Sequence, residues 1–323
     1  YFGRIVTFQG IGIQGILFAL GLDVKTYDGR NSLLNILVTG ASGFIGSNLV
    51  KQLAKNSEYR ISALAREQSD IPDIKNENVN IIRCDLLDRD RLKEATGNSD
   101  VLIHLAAVKE HHRNKDIIFS TNVQGTKNLL DCSKHVEQFI FASSTLVSNP
   151  LDAYSESKKQ CEEIIRESGI NFTILRFAPV FGSGDTTNLT MLIESIQNGK
   201  TIPIPGDGKQ LIQPTHVDDV VRAIENSIMN RDYFNRTCTV AGEPITLKEF
   251  IDSVGKILNR NTKGVHIPVG ILKPIVRVYQ KVSDAPKITI EQLNNLGKTS
   301  SNNVVGSDFP TSRLEVSIEK TVK

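Results

Sequence analysis

The stretch "NILVTGASGFIG", residues 35–46, decides how the rest of the chain is read. A short apolar strand runs into Gly40, and Gly43 and Gly46 follow at the opening of a helix. A glycine loop of this kind holds a nucleotide only in context. It needs a buried strand before it and a helix after it, whose first amides and dipole receive a pyrophosphate. Both are present: "SNLVKQLAKN" (47–56) continues a helix with Ile45, Leu49 and Leu53 recurring on one face, and "YRISALAR" (59–66) reads as the next strand. The three glycines allow, in order, the turn, close approach of backbone to phosphate, and tight packing of helix on strand.

A rival lies upstream. "GIGIQG" (10–15) matches the dinucleotide-binding spacing G-x-G-x-x-G letter for letter, after a passable strand "RIVTF" and ahead of Asp28. Between Gly15 and the second strand "DVKTY", however, stand only the seven residues "ILFALGL". A crossover normally needs about ten or more. The working loop is the second one. Residues 1–34 are then expected to be an extension, with Leu34 where a native start, read through a non-ATG codon, would fall.

Downstream of residue 35, short apolar strands alternate with amphipathic helices: "NILVTG", "RISALA", "VNIIRCDL", "VLIHLAA", "QFIFASS" and "FTILRF". Strands this uniformly apolar belong to a parallel sheet covered on both faces. The expectation is a doubly wound α/β sheet over residues 35–180, with ligands at the carboxyl ends of its strands. Beyond residue 181 the alternation loosens into a smaller C-terminal α+β lobe over 181–323, with segments near 211–240 returning to the sheet. There "NLTMLIESIQNG", "HVDDVVRAIENSIMN", "TLKEFIDSVGKIL" and "ITIEQLNNL" carry helical signals, and "KTIPIPGDGKQ" reads as a hairpin or loop.

Composition narrows the partners. With 39% apolar residues, 23% charged and a net charge of +2 over 323 residues, the chain has no electrostatic footprint for nucleic acid and no basic run for a membrane surface. Cys84, Cys132, Cys161 and Cys238 are far apart, as expected of reduced thiols in a cytoplasmic protein. Adjacent His111 and His112 point in different directions and make a poor metal pair. No metal is expected, and no transmembrane segment.

Chemistry enters at "YSESK". Tyr154 and Lys158 stand four apart in a helix-forming segment, so phenol and ammonium share one face. A fixed cation favours phenolate, making the tyrosine usable as a general acid or base. Ser143 and Ser144 end the preceding strand, where a hydroxyl can hold a substrate oxygen.

Taken together, "TGASGFIG", "CDLLD", "HLAAVK", "NVQGT", "FASS", "YSESK", "LRFAPVFGSGD" and "HVDDVVRAI" resemble, in order, an extended short-chain dehydrogenase/reductase of the NAD-dependent epimerase/dehydratase type. The resemblance covers residues 35–323 and implies a Rossmann fold binding NAD or NADP. It makes Tyr154 the acid/base while hydride moves to or from nicotinamide, Lys158 the ribose ligand, and Ser144 the group that orients the reacting oxygen. Gly40, Gly43, Phe44, Ile45 and Gly46 would hold the pyrophosphate. Asp85 and Leu86 would lie by the adenine, and Leu105, Ala106, Ala107 and Lys109 along the cofactor. Asn122 would fix the active-site backbone, and Phe177 to Val180 would border the nicotinamide. It also implies a nucleotide-sugar substrate and a homodimer built through a helix pair.

Three departures qualify this. Ala65-Arg66 stands where an NAD-selective member carries an acid, so a 2′-phosphate is not repelled and a guanidinium could pair with it. Only nine residues separate Ser144 from Tyr154, and Pro179 replaces an asparagine found near the diphosphate in many nucleotide-sugar enzymes. A reductase or dehydrogenase of a smaller, more apolar carbonyl substrate therefore stays open, as does a non-catalytic cofactor-binding module.

Overall fold

The computed structural model describes residues 33–71, 76–109, 115–150, 152–185, 188–282, 290 and 304–322. The first glycine motif, the His111–His112 pair and all but Ile290 of the helix expected at 288–296 lie outside them.

All six strands expected from the alternation form. They are β1 (Leu34–Thr39), β2 (Tyr59–Ala65), β3 (Val79–Arg83), β4 (Val101–His104), β5 (Gln138–Ser144) and β6 (Phe172–Phe177). After β7 (Val180–Phe181), β8 (Ile202–Pro205), β9 (Leu211–Ile212) and β10 (Thr215–His216), a seventh strand, β11 (Arg236–Val240), joins them. The sheet order is β11-β6-β5-β4-β1-β2-β3, and every pairing in it is parallel. The order reverses between β1 and β4, and the crevice at such a switch point is where ligands bind in open α/β sheets.

Period-two alternation explains why these strands are apolar throughout. In β1, Ile36 and Val38 join one core cluster, which α1 (Phe44–Leu53) covers, while Leu37 between them joins another. The second cluster lies under α2 (Arg89–Thr96), α4 (Gly125–Cys132) and α5 (Ala153–Glu167), which contribute Leu92, Leu129 and Ile165. Ahead of α4, α3 (Lys115–Phe119) runs into a π-helical turn, Ser120–Gln124.

A third cluster, built on Phe181, Ile196, Ile204, Phe250 and Val254, organises the later segments. It gathers α6 (Asn188–Gln197), β8, α8 (Leu247–Ile257) and α10 (Leu314–Val322), whereas α7 (Val217–Ser227) packs on α1. β12 (Ile245–Thr246) pairs antiparallel with β9. One expectation needs correction. Of the hairpin or loop expected for "KTIPIPGDGKQ", the hairpin does not form: β8 pairs in parallel with the distant β13 (Gly264–Ile267), and a turn and loop follow it at 206–210. α9 (Val269–Val282) follows β13.

Candidate active site

At the end of β1, Gly40 has φ +69°, and a Cβ there would lie 2.7 Å from the backbone nitrogen of Ala106, just beyond β4. Only glycine lets the two strand ends meet so closely. A Cβ at Gly46 would lie 2.1 Å from the Gly40 carbonyl oxygen, so α1 rests directly on the loop. Gly43 caps α1 without a side chain, and no acid occupies the first turn. The amides and positive dipole end of Phe44 and Ile45 therefore face the crevice uncompensated by protein charge, which suits an anionic pyrophosphate.

The other expected cofactor residues line the same strand ends. Exposed Arg66 follows β2, and its carbonyl accepts from Arg83 Nη1 at 2.8 Å. Asp85 and Leu86 follow β3; the Asp85 carboxylate accepts from the Leu87 amide at 2.9 Å, and Leu86 is buried beneath Gly125. Leu105, Ala106 and Ala107 are half-buried beyond β4, and Lys109 is exposed. Phe177 closes β6 inside the core, and Val180 opens β7.

Asn122, at the centre of the π turn, clamps the loop after β4. It accepts from the Val108 amide at 2.8 Å and donates to the Val108 carbonyl at 3.0 Å. Its amide also donates to Ser157 Oγ at 2.9 Å, and Ser157 donates to the carbonyl of Tyr154 at 2.7 Å. The helix carrying the tyrosine is thus tied to the loop after β4.

That helix, α5, starts where a capping box fixes it: Asp152 accepts from the Ser155 amide at 2.7 Å and Ser155 Oγ accepts back at 3.3 Å. Tyr154, half-buried, stands in the first turn with Lys158 one turn on. Lys158 is buried, its Nζ donating to the Ala142 carbonyl at 2.7 Å and lying 4.4 Å from the Phe141 ring centroid. Burial is the chief reason its pKa falls to about 8, with Lys109 adding repulsion against the support of Cys161 and Glu162. Its reach to Ala142 brings the ammonium to the end of β5, two residues before Ser144. Ser144 is half-buried and its Oγ accepts from the Leu146 amide at 3.2 Å, while Ser143 faces the other way, donating to Glu162 at 2.6 Å.

Two buried groups escaped the sequence reading. Glu162, one turn beyond Lys158, is gripped by Arg176 at 2.7 and 2.9 Å and by Arg166 at 2.8 Å. Burial would raise its pKa, but the hydrogen bonds from Arg176, Ser143 and Arg166 outweigh it and hold the carboxylate low. The second group is His104. Thr126 gives its one proton to the Asn122 carbonyl at 2.6 Å, so its oxygen accepts from His104 Nε2–H at 3.0 Å. Nδ1 is then the acceptor and takes the proton of Thr39 Oγ1 at 2.7 Å, while that hydroxyl accepts from the Ala106 amide at 3.3 Å. Burial, with the Lys158 charge second, pushes this histidine down to about 3 and keeps it neutral. A polar chain thereby runs from the cofactor loop to the π turn. The visible signals were a histidine inside the apolar run "VLIHLAA" and an acid one helical turn past Lys158.

All four cysteines are free, and Cys84, Cys161 and Cys238 are buried.

A glycine loop at the switch point of a doubly wound parallel sheet, beside a tyrosine–lysine helix, defines a dinucleotide-binding enzyme fold. Residues 36–233, more than half the chain, match the NAD dependent epimerase/dehydratase family, and the protein belongs to it. Its cofactor is accordingly NAD or NADP. The chain is 26% identical over 261 residues to the N-acetyl-alpha-D-glucosaminyl-diphospho-ditrans,octacis-undecaprenol 4-epimerase of Escherichia coli O157:H7, covering 72% of this chain and 75% of that one. It is 27% identical over 308 residues to 3beta-hydroxysteroid-dehydrogenase/decarboxylase isoform 2 of Arabidopsis thaliana, covering 80% of this chain but only 54% of that relative. Among solved structures, UDP-glucuronic acid 4-epimerase from Bacillus cereus in complex with UDP-glucuronic acid and NAD superposes with a TM-score of 0.69 at 25% identity, over 89% of this chain and 98% of that one.

Proposed function

We propose that the protein moves hydride between a nicotinamide and a secondary alcohol or ketone carbon of a nucleotide sugar, with Tyr154 as acid/base. The observation that carries this is the seating of Lys158: one turn from Tyr154, buried, and bonded to the strand end that bears Ser144. The dinucleotide, when bound, supplies or accepts the hydride. Gly40, Gly43, Phe44, Ile45 and Gly46 hold its pyrophosphate, and Asp85, Leu86, Leu105, Ala106, Ala107 and Lys109 line the rest of it. Phe177 and Val180 border the ring. Tyr154 Oη gives its proton to the oxygen that gains negative charge, or takes it in the reverse direction, and Ser144 Oγ holds that oxygen in place. Lys158 keeps a positive charge beside the phenol and bonds the ribose. Asn122 holds the loop and the helix together while the proton moves.

A nucleotide-sugar substrate is supported by the UDP-glucuronic acid held by the Bacillus cereus neighbour. A second reading, an apolar alcohol or ketone, is supported by the likeness to a hydroxysteroid dehydrogenase. The short Ser144–Tyr154 connection and Pro179 favour it too. An epimerase recycles its hydride and keeps its dinucleotide, whereas a dehydrogenase exchanges it, so cofactor retained through purification separates the two.

Tyr154→Phe is expected to lower kcat by roughly 10²–10⁴-fold while cofactor still binds. Steady-state rates beside a fluorescence titration of NAD(P)H check both halves. Unchanged turnover would remove the acid/base role.

Arg66, exposed beyond β2 where an NAD-selective member would carry an acid, favours acceptance of the 2′-phosphate of NADP, while the neighbouring Glu67 pairs with Arg91 at 3.5 Å. Arg66→Ala should raise KM for NADP about tenfold and leave KM for NAD within about twofold. Equal Michaelis constants for both cofactors, before and after the change, would refute it.

A further inference from the structure

Five large apolar side chains stand exposed on a single helix of 14 residues, α9: Ile271, Ile275, Val278, Tyr279 and Val282. Their spacing of four, three, one and three residues puts them on one face. An adjoining face seats the helix on the protein through buried Val276 and half-buried Leu272. In the stripe, Ile275 is 59%, Val278 63% and Val282 78% exposed. Other helices meet water with charge, as α5 does with Lys159, Glu163 and Glu167.

The same helix carries Lys273, Arg277 and Lys281 and no acidic residue. By helical register Lys273 falls away from the stripe, and Arg277 and Lys281 fall along one side of it. An apolar stripe edged by cations with no acid beside it, on a helix too short to cross a bilayer, is the pattern of a helix lying in the headgroup plane of anionic lipid. No helix among the described residues is long and apolar enough to span a membrane. We propose that α9 docks the protein on an anionic membrane surface. Its stripe enters the headgroup–acyl boundary and its cations meet lipid phosphates. Anionic lipid complements those charges. A second copy does not, since a two-fold contact through this face would bring the Arg277 and Lys281 side of one copy toward the same cations of the other. The proposal goes beyond the reaction assigned above and is independent of it, because docking is read without substrate.

Flotation of the 323-residue chain with phosphatidylglycerol/phosphatidylcholine vesicles, and with phosphatidylcholine alone, tests it. Binding should require the anionic lipid and weaken with salt. The double change Ile275→Asp and Val278→Asp should cut it by roughly tenfold or more. Arg277→Glu with Lys281→Glu should do the same on anionic vesicles. Because Ile275, Arg277 and Val278 are exposed on α9, thermal melting should be unchanged. Absence of vesicle binding overturns the proposal, as does binding indifferent to both double changes. So does conversion of a dimer to a monomer by Ile275→Asp and Val278→Asp, which would give the stripe to a second copy.

Discussion

Two helices invert the usual distribution of residues, in opposite senses. α5 buries Ser155, Ser157, Lys158 and Glu162, polar groups that ordinarily face water. α9 leaves Ile271, Ile275 and Val278 in water, where the core would ordinarily claim them. Each inversion costs free energy unless something offsets it: hydrogen bonds within the protein for α5, a partner outside it for α9. On α5 the offset is visible. Glu162 receives Ser143, Arg166 and Arg176; Ser157 joins Asn122 to Tyr154; Lys158 meets a carbonyl. Both departures point toward function, because burying polar groups and exposing apolar ones are each costlier than the ordinary arrangement.

The comparison is broken most severely by removing the centre of the α5 network. Glu162→Gln keeps the shape but leaves Arg166 and Arg176 without a carboxylate, beside a glutamate site only 2% exposed. A fully buried pair broken this way loses about 3–5 kcal/mol. Arg166 and Arg176 are 38% and 28% exposed and regain some hydration, so about 2–4 kcal/mol is expected, read as ΔG of unfolding in urea. A loss under about 0.5 kcal/mol would make the cluster ornamental to stability. The carboxylate's pKa is held low, so the stability it adds is complete above the ordinary glutamate range and is lost as pH falls through the lowered folded value. Glu162→Gln should therefore flatten the acid limb of the stability curve. The paired α9 change Ile275→Asp and Val278→Asp should leave the same measurement within about 0.5 kcal/mol per site.

How much of this the sequence disclosed follows from the range of the interactions. Six of the seven strands of the large sheet could be read: β1, β2, β4, β5 and β6 are covered on both faces and so carry apolar runs, and β3, though at an edge, keeps Val79, Ile81 and Ile82. β11, "RTCTV", escaped because three of its five residues are threonine or arginine, and its edge position next to β6 tolerates them. The glycine loop was legible because Gly40 and Gly46 answer local steric demands. Glu162 and His104 were not, since their partners stand in other elements: Arg176 on β6, Thr39 on β1, Thr126 on α4. Charge on α9 was hidden by averaging. A chain-wide net charge of +2 conceals a helix with three cations and no acid.

A smaller effect sharpens the comparison on α5 itself, where Lys158 is buried beside a carboxylate yet bonded to a neutral carbonyl. If burial dominates, as its depressed pKa of about 8 implies, the folded protein releases this proton before the unfolded chain does. The unfolded chain then binds more protons between about pH 8 and the ordinary lysine value of 10.5, so this residue's contribution to stability rises with pH across that window. Lys158→Met removes the titration and keeps most of the volume. At pH 7 the variant should be at least as stable as the wild type, since no buried cation has to be solvated. Its advantage should shrink by about 2 kcal/mol between pH 7 and pH 10, each pKa unit being worth about 1.4 kcal/mol. Urea unfolding of both proteins at the two pH values gives the difference directly, with every other titration common to both and cancelling. A difference that stays constant, or that moves the other way, would mean Glu162 rather than burial governs Lys158. The ammonium beside Tyr154 would then be held far more firmly than its surroundings suggest.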